Sequence, residues 1–138
     1  MPEVRDGFGA WRHQVWGAMF QVIALVGHAL LGWVLCGATV VIGRKLMTLH
    51  QALIAHAIAA PLIFAIVSAS YFRWFGGTSP IVTAATFVAI VMFLDVFVVA
   101  LLIEKSFDMF RSALGTWLPF ALIFISTWAT GTLLAAWF

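Results

Sequence analysis

One aspartate stands inside an apolar run. Asp95 lies in Val91-Met-Phe-Leu-Asp-Val-Phe-Val-Val99, and the next charged residue, Glu104, is nine positions further on. A charge at the centre of a bilayer costs about 2.5–3.5 kcal/mol on insertion scales. Such a residue finds a partner or carries a proton. The chemistry open to it is proton binding, cation binding or direct contact with a substrate. The competing reading is a neutral, hydrogen-bonded acid that only fixes helix rotation.

Histidines and hydroxyls supply the possible partners. At a helical rise of about 1.5 Å per residue, Asp95 lies about 13 Å below Glu104, and His56 about 12 Å below Thr48. The two reference points share one side of the chain, so the spacing predicts similar depths for Asp95 and His56. Ser126, about 15 Å from Thr116, and its neighbour Thr127 reach the same level, whereas His28 is deeper, about 22 Å from Gly43. The expected order runs from His50 at the mouth to His56 with Asp95, then His28, with Gln21 towards the far side. The candidate proton- or substrate-binding set is therefore Asp95, His56, His28, Ser126 and Thr127. Each has a plainer reading. A histidine in an apolar helix commonly satisfies itself in the core, and serine and threonine commonly bond their own i−4 carbonyl. His50 reads as a headgroup contact.

Other chemistry finds no support in the pattern. Zinc needs three or four ligands, and His28, His56 and Asp95 are not level. A bis-histidine haem needs two histidines at matched height, and these two differ by about 10 Å. There is no HExxH, no serine-hydrolase motif and no glycine-rich phosphate loop. Gly76-Gly77-Thr78-Ser79 reads as a turn. The single cysteine, Cys36, excludes an intramolecular disulfide and reads as a small packing residue. Neither a cofactor nor a metal is expected. Seven basic residues in no cluster longer than Arg44-Lys45 are no nucleic-acid footprint.

The elements that must position this set are membrane spans. The chain has 138 residues, 64% hydrophobic and 9% charged. Soluble domains average about 45–50% apolar and about 25% charged, so a soluble domain is excluded. A hydrocarbon crossing takes about 20 apolar residues, and four stretches qualify: 16–42, 48–72, 80–103 and 116–138. The first is too long for a signal-peptide core. The runs are continuous rather than alternating with period two, which excludes a β-barrel. The expected fold is an all-α integral membrane protein, a four-helix antiparallel bundle running up-down-up-down in one domain, with residues 1–15 as an interfacial tail.

Local signals refine this picture. Pro80 suits a helix start. Thr116 reads as the cap of the fourth helix, with Gly115 as a stop before it. Glu104, Asp108 and Arg111 recur at helical spacing in the third connection. Pro61 is expected to kink the second helix. Gly32, Cys36, Thr39 and Gly43 form a small seam on the first helix. Ala52, Ala55, Ala59 and Ala60 do so on the second, and Thr127 with Gly131 on the fourth. Trp11, Trp16, Trp74, Trp117 and Trp137 sit near span ends as anchors. Trp33 and Trp128 read as packing or lipid-facing residues.

The functional expectation is a small transporter- or channel-like membrane protein with a proton- or cation-linked site around Asp95 and His56. One alternative is a non-catalytic subunit or scaffold of a membrane complex. Another is a small membrane enzyme acting on a lipid or quinone-like substrate, with His56 and Asp95 as acid and base. The expected partners are the bilayer and a second copy of the chain or a complex partner, and no nucleic acid. The location is an inner or plasma membrane, with both termini on one side. Four basic residues at the first and third loops against three elsewhere lean that side away from the cytoplasm.

Overall fold

The computed structural model describes residues 3–137. Met1, Pro2 and Phe138, at the outer ends of the expected tail and fourth span, lie outside the described residues. Those described fold without strands into α1 (Glu3–Leu46), α2 (Leu49–Trp74), α3 (Pro80–Leu94) and α4 (Leu118–Trp137). A π-helical stretch, Asp95–Ile103, extends α3. A short 3₁₀ turn, Asp108–Arg111, and a π-helical turn, Ala113–Trp117, lead into α4. Four helical segments are long and apolar enough to cross a membrane: Gly9–Leu46, Leu49–Trp74, Pro80–Ile103 and Ala113–Trp137. The expected tail is thus helical from Glu3 and continuous with α1.

The helix ends follow from local chemistry. Arg44 and Lys45 occupy the last turn of α1, where cations suit the carbonyl end of the helix dipole. Thr48 begins α2 with a reciprocal capping box. Its hydroxyl accepts from the Gln51 amide, and the Gln51 side chain accepts from the Thr48 amide. Ser79 caps α3 immediately before Pro80. The expected cap at Thr116 is corrected to Ser112. The Ser112 hydroxyl accepts from Gly115 N at 2.9 Å, and Thr116 instead donates its hydroxyl to the Met109 carbonyl at 2.6 Å. Helical winding therefore starts four residues earlier, at Ala113, so Gly115 lies inside a helical turn and is no stop. Helix α2 continues through Pro61 to Trp74.

The helices form a ring in which α1 packs on α2, α2 on α4, α4 on α3 and α3 on α1. The consecutive helices α2 and α3 therefore sit across the bundle. Aromatic side chains fill the space between them. Phe64 and Phe87 have ring centroids 5.9 Å apart, and Tyr71 and Phe87 6.1 Å. All three are fully buried. The second link bends at Gly76, whose φ of +58° suits a residue without a side chain. Hydroxyls tie it down: Tyr71 Oη lies 3.0 Å from Thr78 Oγ1, which lies 2.6 Å from Thr83 Oγ1.

Small residues set the seams. A methyl group added at Gly32 would lie 2.5 Å from the Phe64 ring, and one at Gly43 3.0 Å from Ala52 Cβ. Gly131 is equally close to the ring of Phe72 and to Pro80. The outward faces carry exposed large apolar side chains, including Ile58, Leu62 and Ile66 on α2 and Leu133 on α4.

Candidate functional site

The polar heart of the molecule is a hydrogen bond between two helices. Trp33 on α1 donates its indole N–H to Asp95 Oδ1 at 2.8 Å. Indole nitrogen can only donate, and in a water-poor interior it must find an acceptor. Asp95 stands where α3 passes from α-helical to π-helical winding. Its amide is shared between the carbonyls of Met92 and Val91. A π-turn closes i to i+5, and such turns are frequent at functional sites. The winding persists to the end of the stretch, where Glu104 N bonds the Val99 carbonyl at 2.7 Å.

Asp95 and Trp33 border a cavity of about 640 Å³. All four helices contribute to it: Trp33, Cys36 and Val40 from α1, Leu53 and His56 from α2, Val91 and Asp95 from α3, Phe120 and Ile123 from α4. Most of the wall is aliphatic or aromatic. At the mouth, Arg44 and Glu104 approach to 3.5 Å, with side chains 54% and 47% exposed. Trp33 lies eleven residues before Arg44 on α1, so the cavity runs inward by about 16 Å. Asp108, also at the mouth, sits 3.9 Å from Arg111. Among the described residues the ion pairs are these two, and neither involves Asp95. Its carboxylate is held by a neutral donor and matched by no fixed cation.

His56 shares this cavity with Asp95. Its Nδ1 is buried without a hydrogen-bond partner, and no hydrogen bond joins the ring to Asp95. An orphaned buried N–H is rarer than an orphaned acceptor, which favours the tautomer with the proton on Nε2. His56 is then a neutral wall residue with one N–H to offer.

The other members of the expected set lie elsewhere. His28 donates Nδ1–H to the Ala24 carbonyl at 2.7 Å, and its Nε2 lies 3.4 Å from Ser70 Oγ. Its ring packs edge-on against Tyr71 and Phe75. Ser126 donates to the Ile123 carbonyl at 3.4 Å. Thr127 is fully buried one turn beyond Ile123, and its hydroxyl has no partner. None of the three borders the cavity. His50 is exposed at the start of α2. Gln21 donates to the Phe75 carbonyl at 3.3 Å, at the opposite end from the mouth.

Trp33 packs against the core between helices, one of the two placements its position suggests, but its bond to Asp95 escapes sequence reasoning. Its depth of about 16 Å below Arg44 is close to that of Asp95 below Glu104. A donor-only side chain level with a lone acid was the available signal. Cys36, one turn further on, lines the same cavity. Among the described residues, no group of three or more histidine, cysteine or acidic side chains is arranged to hold a metal ion. Comparison with family models, with curated proteins and with solved structures gives no match to this chain.

Proposed function

We propose that this chain is a transporter-like membrane protein whose four helices cross a bilayer up-down-up-down and whose cavity binds a cation or proton at Asp95. The observation that carries the reading is the placement of Asp95. It borders a large internal space, with a neutral donor on one oxygen and no cation beside it. An acid so placed alternates between a protonated, neutral form and a carboxylate neutralised by a bound cation. Both forms avoid an uncompensated charge in a low-dielectric interior. The outward apolar faces and the span lengths favour insertion. The short links between α1 and α2 and between α2 and α3 favour the alternating order. His56, neutral on the wall, orients what enters.

The test is dissipation of an imposed pH gradient in proteoliposomes on addition of sodium, potassium or organic ammonium ions. In the wild type at least one of these cations accelerates dissipation. Asp95→Asn removes that acceleration while Asp95→Glu keeps part of it. Equal decay in wild type, Asp95→Asn and protein-free liposomes across the whole set would sink the reading.

A further inference from the structure

We infer that the cavity takes an amphipathic organic monocation, with its charge at Asp95 and its apolar body against Leu53, Val91, Phe120 and Ile123. This inference rests on the proposed cation site and names its substrate class.

Three candidate occupants make different demands on the site. A proton alone needs no space, yet the cavity holds about 640 Å³, room for about twenty waters at about 30 Å³ each. Hard metal cations take six or more oxygen ligands or keep several waters. Here one carboxylate, Asp95, stands at the inner end, Glu104 and Asp108 being at the mouth, and no metal-ligand cluster is present among the described residues. An organic cation needs little of either. Its charge is diffuse or screened by carbon, so one carboxylate and apolar walls suffice. Drug-sized ligands occupy pockets of about 300–1,000 Å³ lined by apolar side chains with few polar groups, and this cavity falls inside that range.

The charge count favours one positive charge. Asp95 is the acid at the inner end of the cavity, and it lacks an ionic partner. The Trp33 indole N–H occupies Asp95 Oδ1, which leaves Oδ2 as the oxygen for the incoming cation. A neutral ligand would leave the carboxylate either charged and uncompensated or still protonated. A dication would leave one charge stranded. The exchange balances as follows: the protonated Asp95 loses its proton to water through the mouth, and the carboxylate pairs with the incoming cation. No bond on the ligand forms or breaks, and one proton leaves per monocation bound.

The test uses ethidium as monocation and Nile red as neutral apolar probe, titrated into the detergent-purified full chain in weak buffer. Ethidium binds with release of up to one proton per molecule. Asp95→Asn weakens it about tenfold or more, equivalent to about 1.4 kcal/mol, and abolishes proton release. Nile red binding changes less than about twofold in the same variant. Asp95→Glu, checked by size-exclusion, separates charge loss from misfolding. Ile123→Trp, which fills the cavity without touching the charge, excludes ethidium. Ethidium affinity indifferent to Asp95→Asn, or displacement of ethidium by excess sodium at the same site, overturns the inference. Asp95-dependent gradient dissipation by sodium or potassium with no ethidium binding overturns this substrate class but leaves the cation-site reading standing. Ethidium binding with proton release, but no Asp95-dependent flux, supports the class and removes transport.

Discussion

The indole of Trp33 is the hydrogen-bond donor to Asp95, so the two residues are energetically linked and the link is measurable. Interhelical hydrogen bonds in membrane proteins average about 0.6 kcal/mol and reach about 1.7. A double-mutant cycle with Trp33→Phe and Asp95→Asn, read by reversible denaturation in detergent, should give a coupling energy within that span. Additive losses would mean that the bond contributes nothing to stability. The acid itself is legible in the sequence, because one charge in an apolar run has no ordinary explanation. The depth of His56 is legible too, since helical rise is regular. Trp33 packs between helices as one of its expected placements, and only its bond to Asp95 went unread, for a physical cause. Tryptophan is stable at a span end, against lipid or in a core, so its type does not announce which hydrogen bond it makes. His28 shows the converse. It looked like a site residue, yet the Ala24 carbonyl and Ser70 serve its ring nitrogens, and a carbonyl one turn back is never visible in a list of side chains.

Among the elements, α1 and α2 meet most closely where Gly32 faces the Phe64 ring. Phe64 is fully buried, so it cannot swing aside for an added methyl group. Gly32→Ala should destabilise the bundle by about 1–3 kcal/mol, as overpacked cores do, seen as a lower thermal midpoint in detergent. Gly27→Ala on the same helix meets nothing within 4 Å and should show no loss. Equal effects at both positions would mean that propensity rather than close packing governs α1. The small seam on α1 is readable from residue size and helical spacing. The π-helical stretch after Asp95 is not. It contains neither glycine nor proline, so no residue type marks it. Ser112 escaped notice as a cap for a like reason: Thr116 had equally good capping chemistry.

At the scale of the whole molecule, the Arg44–Glu104 pair lies at the mouth, between the ends of α1 and the extended α3. Both side chains are about half exposed, and such pairs contribute about 0–1 kcal/mol. The pair therefore restrains access more than it holds the fold. Arg44→Gln should change stability by less than about 1 kcal/mol yet accelerate alkylation of Cys36, the chain's single thiol, by N-ethylmaleimide. Unchanged alkylation would mean that the pair does not control access. The four long apolar helices are legible in the sequence, but the ring order that places α2 across from α3 is hidden, because four apolar helices look alike to one another. That order also bears on biogenesis. Trp33, Cys36 and His56 belong to the first helical pair, and Asp95, Phe120 and Ile123 to the second. A half-synthesised chain therefore lacks the Asp95 acceptor for Trp33, and the cavity is complete only when the later pair docks. The Trp33–Asp95 bond thus marks the docking of the third helix on the first, while the cavity needs the fourth as well.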